Sequence, residues 1–418
     1  MDEKIKNILF RANCYEMVEN KGKIWFSWLK ANGLCQLDIA SYQVKILTRY
    51  MDEPIDGFSL YSTIKKVGTI LVLGSASAAP KIVLYDLEKD KSEYVDILPI
   101  KSLLRDGNGK IRYTGRCDFW RSASYGNCVY LLGYEYPGIV KINVETKEVF
   151  YLTEWVEKIE SRIKMTYVGS GYLADCVVIE NFVWILCECA KVILRLDMQT
   201  DEIALMDIEA YSERFCGMCF DGENFWVGGY DNKVFKYNRQ FFLIDQIKII
   251  FEEQKSDASL FWAPIDIGDK IILFPSVAKH VYEIDKKTDE VSRNNYIEDC
   301  LKKQDMNLLW NKVLCPMKSG SIIRFITGAD SLWNEYDYVK HSLTRYEIKT
   351  KLNEMLIVKK SEGIKETILE DDFNWKLGYD MKLSRFLQHL SYLPKKDENS
   401  AVEIQGVGKK ILQRMINE

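Results

Sequence analysis

Seven short apolar runs recur along the chain, KIWFSW at 23–28, TILVLG at 69–74, CVYLLG at 128–133, FVWILC at 182–187, NFWVGG at 224–229, KIILFP at 270–275 and SIIRFI at 321–326, each beginning at or just after a Gly or Asn. Each reads as a strand more apolar than its neighbours, opening after a turn. Downstream of each come two segments in which apolar and polar positions alternate, as in KVILRLD (191–197) with DEIALMDI (201–208), and KHVYEID (279–285) with DEVSRNNYI (289–297). Alternation of period two is the mark of a half-buried hairpin. A fourth segment precedes the apolar run, seen in FCGMCF (215–220) and FWAPIDI (261–267). The predicted unit is four antiparallel strands, repeated seven times.

The hairpin turns share a text. INVETKEV (142–149), LDMQTDEI (196–203) and IDKKTDEV (284–291) place an acid or amide three residues before a threonine, between apolar flanks. Aligned on that acid or amide, the copies open at Asp38, Asp86, Asn143, Asp197, Asn238, Asp285 and Glu347, with Ser41, Thr146, Thr200, Thr288 and Thr350 at the hydroxyl position. A short carboxylate or amide can bond backbone N–H groups two or three residues on, and the hydroxyl supports the same bend, so a tight turn is predicted. Spacings run from 41 residues (197 to 238) to 62 (285 to 347), which brackets the length of one propeller blade.

On these residues the chain resembles bacterial β-propellers of the broad YVTN, NHL and quinoprotein-like type over roughly residues 12–360. The resemblance implies an all-β propeller of seven four-stranded blades, with six or eight as the neighbouring alternatives. It does not extend to named subfamilies: Gly-His/Trp-Asp pairs are absent, Gly228–Gly229 is the one kelch-like diglycine, and the tryptophan pattern of quinoprotein dehydrogenases is incomplete. No quinone chemistry is implied, and no cofactor is expected. Residues 4–11 form a spare strand able to pair with the last blade. Residues 1–360 are assigned to the propeller and 361–418 to a helical extension. There Leu369, Phe373, Leu377, Leu383, Phe386, Leu387 and Leu390 follow helical spacing, and SAVE (400–403) is a capping box. Those helices would pack on the propeller, or meet a partner or a second copy.

Composition narrows the function classes. The 57 basic and 61 acidic residues are dispersed, giving a net charge of −4, so nucleic acid is not an expected partner. No apolar segment has the length of a membrane span or leader, and the 11 cysteines read as reduced thiols; the expectation is cytoplasmic. Walker A, HExxH, GxSxG and EF-hand texts are absent.

In a four-stranded blade the a–b and c–d turns lie on one face, and the b–c and d–a connections on the other. The longer connections, 97–115, 153–171 and 293–309 (d–a) and 327–340 (b–c), therefore decorate one face. Insertions gathered on one face mark a binding surface, or else cover edges. His280 and His341 each open strand c of their blades.

Innermost strands line the central channel, so their polar and aromatic residues near that face are the candidate site: Arg116, Asp118, Trp120, Arg121, Asp175, Arg214, Trp262, Trp310 and Asn311. Arginines and aromatics at a channel mouth suit a peptide with carboxylates, or a small anionic or aromatic ligand. In the alternative in which the arginines and acids pair with each other, the tryptophans belong to the core. Cys187, Cys189, Cys216 and Cys219 could hold zinc in principle, but an extended Cys-x-x-Cys sends its sulfurs to opposite faces, so no metal is expected. Two functions compete: a scaffold binding a protein or peptide on the decorated face, and a cofactor-independent lyase, hydrolase or isomerase. The second would use Asp118 or Asp175 as base and Arg116 or Arg214 to stabilise developing charge.

Overall fold

The computed structural model describes residues 14–28, 33–49, 61–77, 80–100, 117–159, 162–163, 171–188, 190–208, 215–229, 232–250, 259–301, 313–327, 332–346 and 349–350. They form seven blades of four antiparallel strands. The innermost strands are Met17–Asn20, Tyr61–Val67, Cys117–Tyr125, Leu173–Ile179, Phe215–Phe220, Ile265–Asp266 and Val313–Ser319. The chain is a seven-bladed β-propeller.

The continuous apolar runs are explained by the register. In blade 4, Val183, Ile185 and Cys187 of the second strand face the cluster shared with blade 3, while Leu186 between them faces the cluster shared with blade 5. The third strand divides the same way, with Val192, Leu194 and Leu196 on one side and Ile193 on the other. A strand sandwiched between two neighbours needs apolar side chains at odd and even positions alike.

Seven such clusters exist, one per seam. Trp25 and Leu34 meet Tyr61 and Leu71 between blades 1 and 2, and Val72 meets Phe119 and Leu131 between blades 2 and 3. The blade 5–6 and 6–7 seams are built by Trp226 with Ile271 and by Phe274 with Phe325. The seventh joins the chain's ends: Leu314, Ile326 and Trp333 of blade 7 pack on Met17, Phe26 and Cys35 of blade 1.

Polar contacts reinforce that closing seam. Arg324 of blade 7 binds Glu19 of blade 1 at 2.6 Å and Glu335 at 2.8 Å. The Tyr42 and Tyr346 rings stack with centroids 3.5 Å apart. Beyond blade 7, Lys349–Thr350 pairs in parallel with Gln43 and Val44 on the outer strand of blade 1. The spare strand at 4–11 and the helical extension at 361–418 lie outside the described residues. One junction was not anticipated: the second strand of blade 2 runs on to pair with blade 3, Ala76 with Asp118 and Ser77 with Cys117.

The repeated turn text encodes one structure. Each landmark side chain accepts backbone N–H groups two to four residues on: Asp285 from Lys287 and Thr288, both at 2.9 Å, and Asn143 from Glu145 at 2.9 Å and Thr146 at 3.2 Å. Six of the turns then place a non-glycine residue four positions on in the left-handed region, for example Lys147 at φ 62° and Asp289 at φ 56°. The seventh landmark is Asp337, not Glu347. Asp337 accepts N–H groups from Val339 and Lys340 at 3.1 Å, and His341 occupies the left-handed position at φ 52°. His341 therefore closes a c–d turn instead of opening strand c.

That shift removes one expected insertion. Residues 327–340 contain the end of the second strand, the third strand Trp333–Asp337 and the turn, so only a short loop joins the second and third strands. Two other connections begin with short helices that fill seams. Helix α1 (Glu154–Ile159) sends Trp155, Val156 and Ile159 into the core between blades 3 and 4. Helix α2 (Asn295–Leu301) is capped by Asn294, whose Oδ1 accepts the Ile297 N–H at 3.1 Å, and sends Ile297 and Leu301 between blades 6 and 7. In 97–115, Ile97 joins the core between blades 2 and 3.

The turn aspartates make stability pH-dependent. Asp38, Asp86, Asp197, Asp285 and Asp337 are all held below the usual carboxylate range by hydrogen bonds: the Ser41 hydroxyl leads at Asp38, the Lys89 side chain at Asp86, and turn N–H groups at the other three. A carboxylate with a lowered folded pKa stabilises the fold above its unfolded value, about 3.9, and loses that contribution as pH falls through the folded value. Asn143 and Asn238 show that an amide makes the same turn. Replacing all five aspartates by Asn should flatten the decline in urea midpoint between about pH 5 and pH 2. An unchanged slope would place the acid sensitivity elsewhere.

Candidate functional site

The innermost strands converge on a cavity of about 240 Å³ whose wall includes Glu16, Arg121, Asp175, Met218, Trp262 and Cys315. Small-molecule pockets usually span roughly 300–1,000 Å³. This space is smaller, and its charges are already partnered.

Two of the expected site residues meet here. Arg121 Nε donates to Asp175 Oδ1 at 2.8 Å, joining blades 3 and 4. The second oxygen of Asp175 accepts the Met218 N–H at 2.9 Å, which adds blade 5. Arg121 Nη1 also donates to the Trp120 carbonyl at 3.0 Å. Burial works against the Arg121 charge, yet the Asp175 carboxylate outweighs it, so the guanidinium is held protonated more firmly than usual. Both carboxylate oxygens of Asp175 are thus engaged in holding blades together, an arrangement that competes with proton abstraction.

A second stitch was not foreseen from the sequence. Glu16, just before the first strand of blade 1, accepts the Ile64 N–H at 2.9 Å, Lys65 Nζ at 3.0 Å and the Ser122 hydroxyl at 2.6 Å. One carboxylate therefore ties blades 1, 2 and 3. Burial lowers the Lys65 pKa, but attraction to Glu16 exceeds this and the net shift is upward.

The aromatic candidates divide. Trp120 is half-buried in a stack, its ring 3.5 Å from Tyr134 at 8° and 5.6 Å from Tyr15 at 11°. It lies near the end of its strand that faces the d–a connections, and Tyr15 also reaches the cavity wall. Trp262 lines the cavity and donates Nε1–H to the Val313 carbonyl at 2.6 Å, bridging blades 6 and 7. Beside it, Gly217 permits close approach of blades 5 and 6, since a Cβ there would sit 2.3 Å from the Ala263 Cα. Asp118 is buried where blade 3 joins blade 2, and its carbonyl accepts the Tyr134 N–H at 2.7 Å. Arg116, Arg214, Trp310 and Asn311 lie outside the described residues.

The cysteine set is dispersed. Cys187 belongs to the core between blades 3 and 4, and Cys219 packs against the core between blades 5 and 6. Cys216 contacts Ser259 Oγ at 2.8 Å and donates to the Phe261 carbonyl at 3.2 Å, and burial pushes its thiol up to about 12. Cys189 lies outside the described residues. Among the described residues no group of three His, Cys, Asp or Glu side chains is arranged to hold a metal ion.

No protein-family description matches the chain, and no curated protein matches it. Solved structures do. BamB from Moraxella catarrhalis is 11% identical over 77% of this chain and 83% of its own, with a TM-score of 0.47. The computationally designed Ika8 protein is 10% identical over 81% and 97%, with a TM-score of 0.44. A chain of the Mitotic Checkpoint Complex is 10% identical over 66% and 76%, with a TM-score of 0.42. At such identities the likeness concerns fold alone, and the assignment as a β-propeller rests on the seven blades themselves.

The stitching role can be measured. Breaking a buried ion pair costs about 3–5 kcal/mol because one charge is left uncompensated, while apolar replacement of both partners is often neutral. Arg121→Ala and Asp175→Ala should each lower unfolding free energy by about that amount, and Arg121→Met with Asp175→Leu should recover most of it. Neutral single variants would release the pair for a role in ligand binding.

Proposed function

We propose that the chain is a cytoplasmic propeller that binds a protein or peptide around the channel mouth, on the face of the d–a connections. One observation carries this reading: the channel's charges are engaged with one another across blades, and the cavity between them is small, whereas Tyr15 and Trp120 of the aromatic stack stay partly exposed over a buried Tyr134. Glu16 with Lys65 and Arg121 with Asp175 leave little unpaired charge to recognise a small ionic substrate. Tyr15 and Trp120 offer a flat, rigid apolar surface with polar edges, the kind of side chain that anchors protein interfaces.

The seam-filling helices α1 and α2 change how the decorated face is understood. Their apolar residues serve blade packing, so recognition falls to the mouth and to the outward sides of the connections. The enzymatic alternative keeps Asp118 as its base, since Asp175 is committed to Arg121 and Met218.

Affinity capture from native lysate tests the reading, with wild type beside Trp120→Ala and beside a Phe242→Ala/Val339→Ala control. Phe242 and Val339 are each 67% exposed and occupy c–d turns on the opposite face. A protein held by wild type and the control, and lost at least tenfold by Trp120→Ala with its melting temperature preserved, is the expected result. Loss by the control alone would move binding to the other face. A small molecule retained without any protein would favour the enzyme.

A further inference from the structure

The closing seam brings two thiols to one cluster. Cys14, just before the first strand of blade 1, is 1% exposed and belongs to the apolar cluster of the seam, against which Cys315 on the innermost strand of blade 7 packs. Cys315 sits in a bulge, where pairing with the second strand shifts between Leu314 and Met317, and its φ is 45°. A side chain larger than glycine's adopts that backbone region only where its surroundings enforce it. The bulge leaves Cys315 partly exposed on the cavity wall while Cys14 stays behind it in the core. Cys35, the third thiol of the cluster, is fully buried and directed at the Gly33 carbonyl, 3.9 Å away.

We propose that Cys14 and Cys315 form a redox-active pair, oxidised by small disulfides that enter the channel, whose cross-link covalently joins the first and last blades. The accessible Cys315 loses its proton and attacks one sulfur of the small disulfide, forming a mixed disulfide and releasing one small thiol. Cys14 then loses its proton and attacks the Cys315 sulfur, releasing the second small thiol. Two electrons pass from the pair to the oxidant, one S–S bond is made and one is broken. Excess dithiol reductant reverses both steps.

Order of attack follows from position. Cys14 is enclosed, and the neighbouring Cys315 together with burial raises its pKa, so it cannot be the entry thiol. Cys176 also lines the cavity, but burial pushes it up to about 12, which disfavours its thiolate. The linked chain would enclose almost the whole ring in one loop, restricting the unfolded state far more than the folded one.

The test treats the full chain with hydroxyethyl disulfide under native conditions, quenches with acid, and maps the peptides without reduction. The expected product has lost two hydrogens, carries no hydroxyethylthio group, and contains a peptide joining Cys14 to Cys315. Its melting temperature should rise by roughly 3–10 °C and return on reduction. Cys14→Ser should stop at a stable mixed disulfide on Cys315, and Cys315→Ser should form neither link nor shift. A wild-type chain that stops at a mixed disulfide, joins Cys14 to Cys35, or accumulates label at Cys176 overturns the proposal. That outcome would leave the binding function untouched, since no partner is involved, and the mass map of wild type decides the matter even where a variant fails to fold.

Discussion

Everything in this molecule depends on the requirement that each blade be covered on both faces. A single four-stranded sheet with apolar residues at odd and even positions has no stable isolated form, because each face exposes a buried-type surface to water. Stacking relieves this for every blade except the two at the ends. Only closure of the ring relieves it for those. Trp333, Ile326 and Leu314 meeting Met17, Phe26 and Cys35 is thus the contact that turns a row of sheets into a molecule. The Arg324–Glu19 pair and the parallel strand at Lys349–Thr350 reinforce the same place.

The polar interior follows the same logic. Near the axis the strands crowd together, and backbone groups along the inner edges of the innermost strands need partners. Glu16 and Asp175 supply them, each taking a backbone N–H from one blade and charged or hydroxyl donors from others. Arg121 and Asp175, which read in sequence as candidate site residues, therefore act as ties between blades.

Much of the fold was legible because it is local. The Asp-x-x-Thr text is a turn written within five residues, and period-two alternation flanks it, so the four-stranded unit was legible and seven copies of it pointed to seven blades, with six or eight as neighbouring alternatives. The one misplaced landmark shows the limit: the KTK of the Glu347 copy supplied the expected threonine, whereas Asp337 makes the turn with Lys340 at that position and no hydroxyl at all. The site was harder. Arg121 and Asp175 were both recognisable as candidates, but their pairing spans 54 residues, and Glu16 reaches Ser122 across 106. Nothing near Glu16 in sequence marks it, since its partners are defined only once three blades are in place. The apolar residues of the seam-filling helices carry no distinguishing mark either, because they look the same whether they face a partner or a neighbouring blade.

Native-state amide hydrogen exchange over the central strands tests the closed ring most directly. A ring closed by packing predicts that the second strands of blades 1 and 7, Lys23–Trp28 and Ile322–Thr327, open in the same cooperative transition as those of blades 3 to 5, with the same denaturant dependence. Independent opening of blade 1 or blade 7 at markedly lower denaturant would contradict it, and would describe an open array with frayed ends.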